Sequence, residues 1–545
     1  MKWEILDQSK VESQKELISI LLKNRGVEMA REKKEFLEPT NPLEIEIKEV
    51  GLTDTSIKRA IERVKKAKKN HEFVVIYGDY DADGITASAI LWETLHEVGL
   101  DVLPFIPDRF EDGYGIKSQT VEKLKTKFPN LSLIITIDNG IVAYDGIKKA
   151  KELGIDTIVI DHHQKGTKKL LTPYVLHATS ICGSALAWFF SRELSKSYKL
   201  PISLSRSKLE LAAIGTIADQ MLLTGVNRAV VKFGLVELNK TKRPGLLSLY
   251  KDAGIKEIGP YEIGFVIAPR INSMGRLKNG LESLRLLCTK DKVRAMRISI
   301  DIGKTNTDRQ KIVDEVVTHA LESNIGESGV IVLASEVYHE GVIGLAAAKL
   351  VEKFYRPAVV ISKGKEVSKA SARSISGFNI IEAVRSVNLH IEGGGHPMAA
   401  GFSIESVKIE KFTKEINKYA KTILTNEMLE KKVKVDCEIN FKLIDNVLID
   451  SLKIFEPVGL GNPQPVFETK GINLVEAKPV GRDAKHIKIK LKQDEQIFDS
   501  IYFGGGEIYS KLSPDAKIDI VYNVEENVWN GYINIQLRIR DLKLA

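Results

Sequence analysis

The chain has 545 residues, 43% hydrophobic and 28% charged, with 80 Lys plus Arg against 72 Asp plus Glu. Such a length exceeds one compact domain, and such a balance excludes a disordered or fibrous chain. No apolar run reaches about 18 residues and the opening MKWEILDQSK lacks the apolar core of a signal peptide, so no membrane association is expected and the expected compartment is the cytoplasm. Cys182, Cys288 and Cys437 lie far apart without a CxxC pair, which excludes a disulfide framework and a zinc knuckle. The small basic excess permits a polyanionic partner without requiring one.

In chain order, residues 1–47 are polar and helix-prone, closed off by Pro39 and Pro42, and form an N-terminal helical segment. Residues 48–280 alternate β-branched runs (FVVIY at 73–77, LIITI at 133–137, TIVI at 157–160) with amphipathic stretches, which predicts an α/β domain with a parallel sheet. One helix is marked by Ile85, Ala89, Leu91, Leu95 and Val98 and stops at Gly99. Residues 281–325 are charged, Pro-free and helix-compatible, a connector between domains. A smaller α/β domain follows over 326–430, with strands at 330–334 and 358–362, a helix at 346–354, and a turn at Gly393, Gly394 and Gly395 leading to His396. From 431 to 545 apolar and polar residues alternate, as in Ile487-Lys488-Ile489-Lys490-Leu491-Lys492, and turn signals such as Asn530-Gly531 complete an antiparallel β domain.

The sharpest chemical feature is YGDYDADG at 77–84, where Asp79, Asp81 and Asp83 follow a buried strand. Three carboxylates within five residues repel one another, so solvent or a cation must lie between them. The next strand ends in Asp138 and the one after in Asp161, His162 and His163. Parallel strands present their C-terminal ends on one side, so these groups converge in one crevice. Oxygen and imidazole donors without thiolate favour Mn²⁺ or Mg²⁺ over structural zinc, and a carboxylate shared by two ions holds them about 3.5–4 Å apart. Asp219, in AIGTIADQM, by itself reads as a helix-end or surface carboxylate.

These four segments, in this order, resemble motifs I to IV of the DHH phosphoesterase superfamily. The resemblance implies that Asp81, Asp83, Asp138, His162 and Asp219 hold two ions, Mn²⁺ or Mg²⁺. It further implies that His163 contacts the scissile phosphate and that Asp79 and Asp161 support the catalytic site. Four residues before Asp81 some members carry a histidine ligand; here the residue is Tyr77. APRINSMGRL at 268–277, with Asn272 and Arg276, resembles the fifth motif, which lies near the bound strand. SARSISGFNI and GGGHPMAAGF resemble the DHHA1 domain and make Ser371, Arg373, Gly394, Gly395 and His396 substrate-binding candidates. Read as chemistry, Arg373 offers a fixed charge to phosphate, the glycines let backbone N–H groups approach it, and His396 donates a hydrogen bond. Arg109 and Tyr114, in IPDRFEDGYGI, resemble a loop that reaches towards a 5′-phosphate; a surface salt bridge is the alternative for Arg109.

The superfamily also contains pyrophosphatases, cyclic-dinucleotide phosphodiesterases and short-oligonucleotide hydrolases. The extra β domain of about 110 residues separates this chain from the compact members, because RecJ-type exonucleases carry an OB-fold there, a single-strand-binding module. Lys488, Lys490, Lys492, Arg538 and Arg540, with Tyr522, Trp529 and Tyr532, are compatible with that role; a plain solvated face is the alternative for the lysine-rich strand. The resemblance thus implies a single-stranded-DNA-specific 5′→3′ exonuclease of DNA repair and recombination, releasing 5′-mononucleotides. A monomer is expected, with single-stranded DNA as partner and a single-strand-binding protein or a helicase as further partners. The alternatives are a phosphodiesterase of short oligonucleotides and a non-catalytic replication scaffold, the latter at odds with an intact acidic set.

Overall fold

The computed structural model describes residues 1–322, 329–529 and 532–544, without the side chains of Val528 and Trp529. The Asn530-Gly531 turn and the Trp529 side chain, both singled out in the sequence, lie outside the described residues. The first strand, β1 (Lys2–Asp7), corrects the expectation that residues 1–47 are helical throughout. Helices Gln14–Asn24 and Ala30–Leu37 follow it. Their apolar side chains, among them Leu17, Leu21, Leu22 and Phe36, join the hydrophobic core of the C-terminal domain.

The catalytic domain is built on five parallel strands: β2 (Phe73–Tyr77), β3 (Val102–Phe105), β4 (Leu131–Ile137), β5 (Asp156–Asp161) and β6 (Tyr174–His177), in the order β3-β2-β4-β5-β6. The short edge strands β3 and β6 have no alternation to betray them, and β3 contains Pro104. The chain leaves β2 for β3 on one side and then crosses to β4 on the other. The strand order therefore reverses between β2 and β4, where open parallel sheets place their sites. Both faces of the sheet are covered, so β4 is buried almost throughout.

The helix Lys292–Glu322, about 46 Å long at 1.5 Å per residue, connects the two α/β domains. Its first half (Ala295, Ile298, Ile302) belongs to the catalytic core, and its last turns (Val316, Val317, Ala320) belong to the core of the next domain. That domain has strands β7 (Ile331–Ser335), β8 (Ala358–Ser362), β9 (Val367–Arg373), β10 (His390–His396) and β11 (Ala399–Glu405), in the order β10-β11-β9-β8-β7. The glycine run expected as a turn is instead the edge strand β10, paired antiparallel with β11.

The C-terminal domain contains β12 (Lys432–Glu438), β13 (Phe467–Val480), β14 (His486–Gln493), β15 (Gln496–Tyr502), β16 (Lys517–Trp529) and β17 (Tyr532–Leu544). Strands β13-β14-β15-β17-β16 close on themselves through the β13–β16 pairing, forming a five-stranded barrel of the OB type. β15–β17 is parallel within a mostly antiparallel sheet, and β1 joins through parallel pairing with β12. Alternation on β14 is as expected: Ile487, Ile489 and Leu491 are buried, and Lys488, Lys490 and Lys492 are exposed. Tyr522, expected on the binding face, is in the barrel core, where its hydroxyl is 2.8 Å from that of Thr469.

Arg228, on the helix Gly225–Leu238, joins the barrel domain to the catalytic domain. Fully buried, it donates to the carbonyls of Phe36, Ile454, Phe455, Glu456 and Pro457 at 2.7–3.1 Å. The guanidinium also stacks 4.1 Å from the Phe36 ring.

Candidate metal centre and substrate cleft

The acidic motif leaves β2 and turns at once into the helix Ala82–Glu97, with Asp81 as N-cap accepting from the Gly84 N–H at 3.0 Å. Asn272 reaches across from the helix Ala268–Leu277 and accepts the Ala82 N–H at 2.6 Å, so its oxygen positions this turn. Asp83 lies one residue into the helix. Its two oxygens accept the N–H groups of Gly183 and Ser184, at 2.7 and 2.9 Å, where the helix Gly183–Ser197 begins. Only a residue as small as Gly183 fits there, because a Cβ would stand 2.7 Å from Asp138 Cβ and Oδ1.

Asp138 follows β4 with φ of 61°, a left-handed turn. It is 2% exposed, and its Oδ1 has no hydrogen-bond donor although His162 Nε2 is 3.1 Å away. Two donor atoms sharing one six-coordinate ion at about 2.1 Å stand about 3 Å apart, so this spacing suits an ion between them. Asp219, at the end of the helix Ile202–Ala218, lies 3.7 Å from the same His162 nitrogen. Among the described residues three overlapping triads result: Asp79, Asp81 and Asp138; Asp138, His162 and His163; and Asp83, His162 and Asp219. Asp138 and His162 are each shared by two of them.

Burial, and then neighbouring carboxylates, push Asp79, Asp81 and Asp138 up. Burial with Asp83 and Asp81 lifts Asp219 to about 8. Burial lowers His162. Carboxylate oxygens crowded around an imidazole, one of them the orphan acceptor Asp138 Oδ1, make a donor set for hard divalent cations such as Mn²⁺ or Mg²⁺. The residues therefore fit two such ions.

His163 differs from its neighbour. Burial opposes its charge, but its Nδ1 lies 2.8 Å from Asp161 Oδ1, and Asp161 raises its pKa overall. Asp161 Oδ2 is held by the Ile141 N–H. Tyr114 OH approaches the His163 ring at 3.2 Å, and His177 Nε2 meets the His163 carbonyl at 2.7 Å. Tyr77 takes no part in the triads: it is fully buried, its hydroxyl donating to the Gly115 carbonyl.

Beside the cluster, a cleft of about 820 Å³ separates the two α/β domains, a size that suits a ligand site. Arg109, Arg276, Ser371 and Arg373 line it together with Lys117 and Lys369. Arg109 stacks 4.1 Å from Tyr80 and donates to the Gly275 carbonyl, so it is not a surface ion pair. Arg276 donates to the Gly341 carbonyl across the domain boundary. Burial and then the charge of Arg109 bring Arg276 down to about 10. Gly393 lines the cleft, whereas Gly394, Gly395 and His396 continue along exposed β10 outside its lining.

Sequence reasoning missed Tyr80, Lys117, Lys369, His177, Gly183 and Gly341. The last two are singled out only by the absence of a Cβ where another backbone or carboxylate approaches. At Gly341 an added Cβ would stand 2.1 Å from the Arg276 carbonyl.

Residues 73–216 match the DHH family, N-terminal domain; residues 327–422 match the DHHA1 domain; and residues 435–541 match the RecJ OB domain. The chain is 34% identical over 578 residues to the single-stranded-DNA-specific exonuclease RecJ of Bacillus subtilis (strain 168), covering 100% of this chain and 71% of that protein. The crystal structure of RecJ in complex with Mn²⁺ from Thermus thermophilus superposes with a TM-score of 0.84 at 27% identity, covering 100% of this chain and 80% of that one. The Mg²⁺ complex from the same organism gives 0.79 at 26%, covering 100% and 78%.

Proposed function

Because this chain belongs to the RecJ family of DHH-type exonucleases, we propose that it degrades single-stranded DNA from the 5′ end, releasing 5′-mononucleotides in DNA repair and recombination. The observation that carries this reading is the junction of two features: partly buried triads that share Asp138 and His162, and beside them an arginine-lined cleft between the two α/β domains. Two Mn²⁺ or Mg²⁺ ions bound there would supply water activation and charge neutralisation at the phosphoryl group. Asp81, Asp83, Asp138, His162 and Asp219 would hold them, and the position of Asp79 in a triad makes it a further candidate ligand.

The chain's own residues do the rest. His163, aimed by Asp161 Oδ1 2.8 Å from its Nδ1, donates a hydrogen bond to a phosphate oxygen. Arg109, Arg276, Ser371 and Arg373 bind the terminal phosphate, and guanidinium–phosphate contacts are stronger than neutral ones. Asn272 holds the acidic turn in register. Gly394, Gly395 and His396 offer an exposed edge for the strand beyond the cleft. Action as a cytoplasmic monomer, with a single-strand-binding protein or a helicase as partner, belongs to the same reading.

The test compares 5′-labelled, 3′-labelled and circular single strands with Mn²⁺ or Mg²⁺. Release of the 5′ label as mononucleotide, with circles and duplex left intact, is the expected outcome. Rapid loss of circles, or of the 3′ label first, overturns the polarity.

A further inference from the structure

Just before the helix Ala268–Leu277 the chain makes a π-helical turn, Glu262–Ile267. Tyr261 and Phe265, four residues apart, are 65% and 71% exposed, with ring centroids 4.9 Å apart and planes 25° apart. Two stacked aromatic rings left in water are a surface that gains from being covered. The inner side of the turn is firmly seated, because Ile263 and Ile267 are buried and Gly264 faces Ile217. Ile217 lies two residues before Asp219 of the metal cluster. Past Asp219, the Leu223 N–H donates to the Leu460 carbonyl of the barrel domain. The rings thus stand close to the segment that joins the metal centre to the barrel.

Cationic groups surround the helix that follows. Arg270 donates to the Val266 carbonyl at 3.1 Å, inside the turn. Its buried Nε has no hydrogen-bond partner, with Asp252 Oδ2 3.9 Å away. Arg309, on the connector helix packed against Ala268–Leu277, hydrogen-bonds to the uncharged Asn306 Oδ1. Burial lowers its pKa; the charge of Asp314 opposes that shift, and the charge of Arg270 adds to it. Arg309 in turn lowers Arg276 in the cleft, after burial and Arg109. Guanidiniums beside an exposed aromatic pair, with Asp252 and Asp314 near them, are complementary to a polyanion that carries flat apolar rings.

We propose that Tyr261 and Phe265 form a base-stacking platform, with Arg270 and Arg309 as its phosphate contacts, making a second single-strand subsite outside the cleft. The proposal rests on the reading of the chain as a single-stranded-DNA exonuclease and extends it to the strand beyond the reacting end. Stacking accepts every base, so the subsite grips without sequence preference.

The test is fluorescence anisotropy of a 5′-phosphorylated strand of about 20 nucleotides, and of an abasic strand of the same length, in EDTA, where no turnover occurs. Stacking is worth about 1–3 kcal/mol per base, so the Tyr261→Ala/Phe265→Ala double variant should bind the normal strand about tenfold or more weakly. It should also lose the wild-type preference for bases over abasic sites. Arg309→Gln should flatten the salt slope of binding by about 0.7. With Mn²⁺, the loss of kcat/KM in the double variant should grow from a dinucleotide to the long strand. A double variant that binds within twofold of wild type overturns the platform while an active enzyme sustains the proposed function. A wild type that binds no strand overturns both. If the substitutions abolish self-association in sedimentation and spare strand binding, the rings are a face between two copies and the subsite is wrong.

Discussion

Stripping the metal should make the catalytic domain's stability fall as pH rises, and Asp219 sets the scale. Its carboxyl goes from the ordinary 3.8 to about 8 in the folded, metal-free site, through burial and the charges of Asp83 and Asp81. Between those values the folded chain keeps a proton that the unfolded chain releases, so stability is full below about 4 and is lost progressively up to about 8. Each pH unit in that window removes up to 1.36 kcal/mol, so the ceiling from pH 5 to pH 8 is about 4 kcal/mol. The side chain is 30% exposed, and solvent screening brings the expectation down to about 2 kcal/mol. In a domain of this size, that lowers the melting midpoint by about 4–8 °C. Mn²⁺ at a hundred times its Kd should return about 2.7 kcal/mol. Calorimetry of EDTA-dialysed protein at pH 5, 6.5 and 8, with and without Mn²⁺, reads this directly. Asp219→Asn should flatten the metal-free slope. A metal-free midpoint that stays level or rises over this range would refute the reasoning, and an Asp219→Asn variant with the full wild-type slope would refute the assignment to Asp219.

Asp138→Asn keeps the left-handed turn, which asparagine tolerates, and removes the shared charge; hydrolysis should fall at least about 10²-fold while the circular dichroism spectrum is preserved. Gly183→Ala drives a methyl into Asp138 and should weaken Mn²⁺ binding about 10–100-fold, as read by isothermal titration, at a stability cost of about 1–3 kcal/mol. Arg228→Met leaves five carbonyls without their charged donor and should cost about 3–5 kcal/mol in urea unfolding, with faster proteolysis after the helix Asn446–Lys453. Replacing Lys488, Lys490 and Lys492 by Ser should flatten the salt slope of strand binding by up to about 2, measured by filter binding. These point changes test the barrel more cleanly than deletion from residue 433, because deletion removes the pairing partner of β1 and exposes Leu17, Leu21 and Leu22.

By itself, the sequence determined the chemistry that is local in the chain. Asp79 to Asp83, Asp138, and Asp161 to His163 each sit directly after a β-branched run, so strand ends alone predict that they converge, and they do. The connector's helicity and the β14 alternation were legible for the same reason, since periodicity is carried by neighbouring residues. Other features depend on contacts between distant segments, and only the tertiary structure decided them. β1 reads as part of a helical segment because its partner, β12, lies more than 400 residues away. The glycine run at 393–395 reads as a turn until β11 pairs with it, and Tyr522 reads as a surface aromatic until the barrel closes around it. The backbone N–H groups that hold Asp83, the five carbonyls on Arg228, and Arg309 beside Arg270 carry no mark in the sequence. Hydrogen bonds to backbone are blind to side-chain identity, and like charges become neighbours only when helices pack.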